Sequence, residues 1–290
     1  MTVPPPDGSR DRRIEDPTNL WVIHPAGRAL LPIALRWRIS ANTVSVAGLL
    51  LGGCAAMAFA DWGSTVAVLA GLLLAVGWLI ADGLDGMVAR ATGTASALGR
   101  ALDGMCDHGV FALIYVALAC SIGTREAWAL AVAAGVAHAV QSSLFEGERA
   151  RYHRRLKGIA AEPPPPSINP LVVLYDRVAT LPDRMAAPFE RKLAAADDPL
   201  ALGRLYGERA VGTMKAMALL SANVRVWTVA LACLLRDPRI FWWVEIGPLT
   251  LILALTLFRH RQIERSLVRR HYPDREPIAS ALSTREHRHS

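Results

Sequence analysis

The chain predicts an all-α integral membrane protein: six transmembrane helices preceded by an amphipathic helix lying in the membrane interface. Three observations predict it. Hydrophobic residues make up 52% of the 290 positions against 20% charged, with a mean hydropathy of +0.28, which is too apolar for an ordinary soluble domain. The apolar residues gather in runs close to the ~20 residues that a bilayer core demands of a helix. The basic residues gather in alternate connections between those runs.

Taken in order, residues 20–38 mix apolar residues with Arg28, Arg36 and Arg38 and are interrupted by Pro25 and Pro32. They are too broken to span and suit a helix in the interface. Ser40-Ala41-Asn42 offers caps for the first span. Spans are expected at 43–60, 64–90, 99–122, 127–146, 213–235 and 239–258, rich in Ala, Gly and Leu, which lets helices pack closely in lipid. The long connection at 147–212 carries a basic run from Arg149 to Lys157 and a Pro163–Pro166 block. A structureless loop of that length is unusual, so one or two amphipathic helices are expected there, as a substrate entrance or a plain solvated insertion. The organisation is therefore a segment 1–41, a membrane domain 42–260 with its insertion, and a charged tail 261–290 whose last residues have the composition of disorder.

Six spans put both termini on one side, and no apolar leader with a cleavage site is seen near the start. Lys and Arg outside the spans fall almost wholly in the N-terminal segment, 91–98, 147–212 and the tail, which the positive-inside rule assigns to the cytoplasm. Trp62, Trp128, Trp242 and Trp243 fall at the opposite span ends, as an outer aromatic belt requires. The cell (inner) membrane is the expected location. A net charge of +7 and a pI near 9.7 fit attraction to anionic lipid head groups better than nucleic acid, because the basic residues border the spans. Cys54, Cys106, Cys120 and Cys233 lie inside spans without a pairing pattern and are expected to be packing residues.

The chemistry concentrates between Asp82 and Asp107. Asp82, Asp85, Gly86 and Ala89 follow i, i+3, i+4, i+7 and share a helix face; Gly99, Asp103 and Asp107 recur every four residues on the next helix. The short link between them turns the two stripes towards each other. Four gathered carboxylates raise one another's pKa and need compensation. An all-oxygen set without His or Cys favours Mg2+ or Mn2+, and two such ions suit in-line phosphoryl displacement. Arg90 adds a fixed charge for phosphate.

The run Asp82-x2-Asp85-Gly86-x2-Ala89-Arg90-x8-Gly99-x3-Asp103-x3-Asp107 resembles, without departure, the signature of the CDP-alcohol phosphatidyltransferase family. The resemblance implies a homodimeric six-helix enzyme that breaks the pyrophosphate of a CDP-linked alcohol, passes the phospho-alcohol unit to an acceptor hydroxyl and releases CMP. It implies that Asp82, Asp85 and Asp103 ligate a metal pair, that Asp107 is the base and stays near the second ion, and that Gly86, Ala89, Arg90 and Gly99 face the cytidine diphosphate. Asn42-x2-Ser45 is similar to the Asn-x2-Thr that opens the family's first span, which gives Asn42 either a nucleotide role or a helix-cap role.

Polar residues inside spans point to the acceptor. Arg225 is expected to meet a phosphate or to form a structural ion pair; His138 and Gln141 are further acceptor contacts, with an interhelical hydrogen bond the plainer reading of His138. His108 is expected to pack away from the Asp stripe. The expected donor is CDP-diacylglycerol with a small polar alcohol such as glycerol phosphate or an inositol phosphate as acceptor. A soluble CDP-alcohol with a lipid acceptor is the alternative, and a divalent cation transporter a remote one.

Overall fold

The structure, a computed structural model, describes residues 11–94, 97–161 and 181–269, while the side chains at 97–107 and 181–184 lie outside the described residues. Every regular element among the described residues is a helix. A π-helical turn at Asn19–Ile23 runs into α1 (His24–Arg36), followed by α2 (Ala41–Ala60), α3 (Thr65–Ala91), α4 (Ala97–Ile122) and α5 (Arg125–Leu156). Then come α6 (Leu181–Ala194), α7 (Pro199–Met217), a 3-10 turn at Ala218–Leu220, α8 (Ala222–Leu234), α9 (Arg239–Val244), a π-helical turn at Glu245–Leu249 and α10 (Thr250–Arg269). Side-chain oxygens of Ser40, Ser64, Thr124 and Asp198 cap α2, α3, α5 and α7 by accepting from the backbone N–H three residues on, each worth about 1 kcal/mol.

Among the described residues, four helices are long and apolar enough to cross a membrane: α2, α3, α5 and the continuous rod Arg239–Arg269 formed by α9 and α10. The span expected at 213–235 is not straight. It breaks around Ser221, with Pro199–Leu220 and Ala222–Leu234 bent by 43°, and makes a fifth crossing if the two pieces are one span. α4 covers the span expected at 99–122, with His108–Ile122 its described apolar part. α1 exposes Leu30, Ile33 and Leu35, with Trp21 before it and Trp37 after it, at the place expected for the interfacial helix.

Two packed layers position the site. Around α2, α3, α4, α5, α8 and α9, residues such as Phe59, Trp78, Phe111, Ile114, Val229 and Trp242 form one core. α2 and α4 meet so closely that a Cβ on Gly52 would collide with Val110. Trp242 is fully buried while Trp243 is 56% exposed. The expected belt therefore loses Trp242, because neighbours on a helix point about 100° apart and only one of the pair can face lipid. Cys54, Cys120 and Cys233 are free thiols; the side chain of Cys106 lies outside the described residues.

The second layer joins the end of α5 to α6, α7 and α10 around Tyr152, Phe189, Tyr206 and Met214. α5 runs ten residues past the end of the span expected at 127–146, because its charged last turns find buried partners. Glu148 accepts from Arg151 at 2.6 Å and from Arg261; Arg155 donates to Glu190 at 2.8 Å and to Glu264 at 2.5 Å. Burial alone would raise the pKa of Glu190, but the charge of Arg155, the Ala161 N–H and Arg154 together hold it below its ordinary value. In the stretch expected as an insertion, the described residues are thus mostly helical, and Gly203 lets α7 press against the Arg155 carbonyl, where a Cβ would collide.

Candidate active site

α3 ends in a Schellman turn. Gly93, at φ +69°, takes the left-handed conformation that favours glycine; its N–H reaches the Arg90 carbonyl, and the Thr94 N–H reaches that of Ala89 at 2.9 Å. The turn stops α3 one residue after Arg90 and sends the chain towards α4. The last turns of α3 therefore sit at the edge of a cavity of about 1010 Å³.

Asp82, Asp85, Gly86, Ala89 and Arg90 all line this cavity, as the i, i+3, i+4, i+7 spacing predicts. The start of α2 faces them with Ser40, Ala41, Asn42 and Ser45. Ser45 Oγ donates to Asp85 Oδ2 at 2.5 Å and fixes a carboxylate that is only 5% exposed. Ser40, whose Oγ accepts from the Thr43 N–H at 3.1 Å, is the cap of α2; Asn42 is left to face the cavity. α4 carries Gly99, Asp103 and Asp107, whose side chains lie outside the described residues.

The opposite wall holds residues that the spacing argument did not assemble. His108 of α4 lines the cavity rather than packing away from it, its ring 5.6 Å from that of His138. Phe111, one turn further along α4, lines it too. α5 adds His138, Ser142, Ser143, Glu146 and Arg149. Glu15, Asp16 and Asn19 enter from the N-terminal segment, and Ser221 and Asn223 from the start of α8. An acidic pair just before a helix start was the available signal for Glu15 and Asp16, and it reads equally well as capping.

Arg225 and Gln141 stand behind the wall. Arg225 is 1% exposed; it donates to Glu245 Oε1 at 2.9 Å, to Gln141 Oε1 at 2.8 Å and to the Leu220 carbonyl. Gln141 Nε2 donates to the Glu245 carbonyl at 2.8 Å, and the Tyr115 hydroxyl to Glu245 Oε1 at 3.1 Å. This network pins the break between α7 and α8 to the π-turn before α10. His138 lies between network and cavity, with Nδ1 3.8 Å from Glu245 Oε1.

A second group with metal-binding spacing, Glu148, His260 and Glu264, brings its donor atoms within 4.8 Å of one another. One oxygen of each carboxylate is taken by arginine, Glu148 Oε2 lies 2.7 Å from His260 Nδ1, and Glu264 Oε2 is buried without a hydrogen-bond partner. Arg151 and Arg261 donate to Glu148, Arg155 and Arg261 donate to Glu264, and Tyr206 meets His260 Nε2 at 2.6 Å. Three guanidiniums supply the positive charge that a cation would bring, so the group fits a structural role.

Residues 38–161 match the family described as CDP-alcohol phosphatidyltransferase. This stretch of the chain is a CDP-alcohol phosphatidyltransferase domain. The match encloses α2 to α5, hence the whole Asp82-to-Asp107 motif and the α5 wall of the cavity. α1 and α6 to α10 lie outside it, as do the cavity residues Glu15, Asp16, Asn19, Ser221 and Asn223. No curated protein and no solved structure matches the chain.

Proposed function

We propose that the protein is a membrane phosphotransferase of phospholipid synthesis that moves a phosphatidyl group from CDP-diacylglycerol to the hydroxyl of a small polar alcohol and releases CMP. The observation that carries this reading is the convergence of Asp82, Asp85, Gly86, Ala89 and Arg90 on one cavity wall inside the transferase domain. Six crossings, counting α4 and the bent α7–α8 pair, a cytoplasmic active site and a homodimer complete the proposal. The side follows from the basic connections, and the dimer from the family.

Asp82, Asp85, Asp103 and Asp107 would hold Mg2+ or Mn2+, two ions in all. The fit is chemical: the described donors are carboxylate oxygens facing an open cavity, with Ser45 orienting one of them. When bound, the ions neutralise charge on the pyrophosphate and on the leaving oxygen. The chain's own residues do the rest. Gly86 and Ala89 leave room for the nucleotide to lie against α3, Arg90 meets phosphate, and Asn42 closes the nucleotide side from α2. Asp107 takes the proton of the acceptor hydroxyl. That oxygen bonds to the phosphorus bearing the diacylglycerol, the bond from this phosphorus to the bridging oxygen breaks, and the oxygen departs on CMP. His138 contacts the acceptor, while Arg225 and Gln141 act from behind by holding the α7–α8 break that shapes its end of the cavity.

The test is CMP release by detergent-purified protein from CDP-diacylglycerol, with a panel of soluble alcohols. Release should depend on one class of acceptor, stop on chelation and return with Mg2+ or Mn2+. Full activity in excess chelator would sink the metal-assisted mechanism, and release only from a soluble CDP-alcohol with diacylglycerol would reverse donor and acceptor.

A further inference from the structure

Where α7 packs against α10, their outward faces leave an open groove of about 470 Å³, lined by Arg209, Gly212 and Thr213 of α7 and by Arg259 and Ile263 of α10. The i, i+3, i+4 spacing sets the first three on one face of α7, and i, i+4 sets the last two on one face of α10. None of the five lines the large cavity, so the groove is separate from the candidate active site. Gly212 keeps it open, since a Cβ there would meet no atom within 4 Å. Inside this layer the arginines are consumed by carboxylates: Arg151 and Arg261 by Glu148, Arg155 by Glu190 and Glu264. Arg209 and Arg259 are not. Among the described residues neither forms an ion pair, and no carboxylate lines the groove. Glu208, next to Arg209 in the chain, points about 100° away around the helix.

The groove sits where α10 outgrows a membrane. The rod Arg239–Arg269 has 31 residues and is therefore about 46 Å long, against a bilayer core of about 30 Å that takes up about 20 of them. Counted from Arg239, the crossing ends near Phe258, and Arg259 is the next residue. On the core side of the groove the same helices turn apolar side chains outward. Leu251 and Leu255 share the face of Arg259 and are exposed, as is Leu219 just past the end of α7.

We infer that this groove binds one anionic phospholipid at the membrane border, at a site distinct from the substrate cavity. The headgroup phosphate lies between Arg209 and Arg259, whose planar forks suit phosphate oxygens, and the Thr213 hydroxyl donates to one of those oxygens. The acyl chains run along Leu219, Leu251 and Leu255. Charge complementarity selects the occupant: with two fixed positive charges and no acid in the groove, the cation of a zwitterionic headgroup has no partner, whereas a net negative lipid matches. A lipid held by both α7 and α10 binds the folded layer and not the unfolded chain, so it stabilises the layer by mass action.

The test is thermal unfolding of the full-length protein in neutral detergent micelles titrated with dioleoyl phosphatidylglycerol, dioleoyl phosphatidylcholine or inorganic phosphate. Phosphatidylglycerol should raise the unfolding midpoint saturably, and the other two should not. Arg209→Gln and Arg259→Gln should each raise the phosphatidylglycerol concentration at half-effect about tenfold, the scale of one charge-assisted hydrogen bond, with the lipid-free midpoint in place. Gly212→Leu, which fills the groove without changing its charge, should do the same. Arg265→Gln, which removes an exposed charge outside the groove, should leave the titration as it is. Equal losses in Arg209→Gln and Arg265→Gln would mean diffuse attraction to a basic surface and would overturn the site. An equal shift with phosphatidylcholine would overturn the anionic selectivity, and a shift with inorganic phosphate would overturn the lipid as occupant. CMP release does not enter the readout, so the transferase reading stands or falls separately.

Discussion

Two groups of carboxylates in this protein have the residue types and spacing to attract a cation, and their surroundings differ. On α3, Asp82 and Asp85 open onto a cavity and Asp85 is oriented by a serine hydroxyl. In the layer between α5 and α10, Glu148 and Glu264 are 0% and 3% exposed and are crossed by Arg151, Arg155 and Arg261. Carboxylate spacing alone therefore does not make a metal site. A site also needs access for the substrate, and the α3 group is the one with a cavity in front of it.

Exchanging single charges tests this contrast. Asp85→Asn removes a proposed ligand and should lower Mg2+-dependent CMP release by more than about 100-fold, beyond what outer partners of a metal site are worth, with little change in thermal unfolding of the detergent-solubilised protein. Glu264→Gln should do the reverse. It removes the charge that Arg155 and Arg261 share, leaving them Glu190 and Glu148, and should cost about 1–3 kcal/mol of stability, while the Mg2+ dependence of the folded protein is unchanged. An altered metal requirement in Glu264→Gln would break the comparison, because the arginine-crossed group would then be a metal site after all.

The smallest effect is in pH. Glu190 is held below its ordinary value of 4.5, so its contribution to stability is fully present above that pH and is lost as the pH falls towards the lowered folded value. Limited proteolysis of the α5–α6 layer should accelerate below about pH 4.5 in the wild type. Glu190→Gln should be cleaved faster at neutral pH and show a flatter acid dependence. Identical profiles would mean that the Arg154 and Arg155 contacts contribute nothing to this layer.

What the sequence revealed was local. The stripe from Asp82 to Arg90 lies on one face because helical spacing dictates it, and Ser40 was readable as a cap from its place before an apolar run. The break at Ser221 was not readable, since it is pinned by Arg225 and Glu245, which pair across another helix and a turn. An intramembrane arginine announces a partner but does not name it. The extension of α5 stayed hidden for a related reason: a basic run looks like solvated loop until Glu190 and Glu264, distant in sequence, are seen to bury it. Periodicity likewise placed Trp242 at a span end without revealing which of two adjacent tryptophans faces the core.

The most direct test of the central claim, that the α3–α4 carboxylates carry out phosphatidyl transfer, is to measure CMP release and Mg2+-dependent CDP-diacylglycerol binding on the same preparations of wild type and Asp107→Asn. Loss of turnover by about 100-fold or more with binding retained is the predicted result, the scale expected for removal of a general base. Undiminished turnover in Asp107→Asn would contradict the account and move the chemistry elsewhere in the cavity.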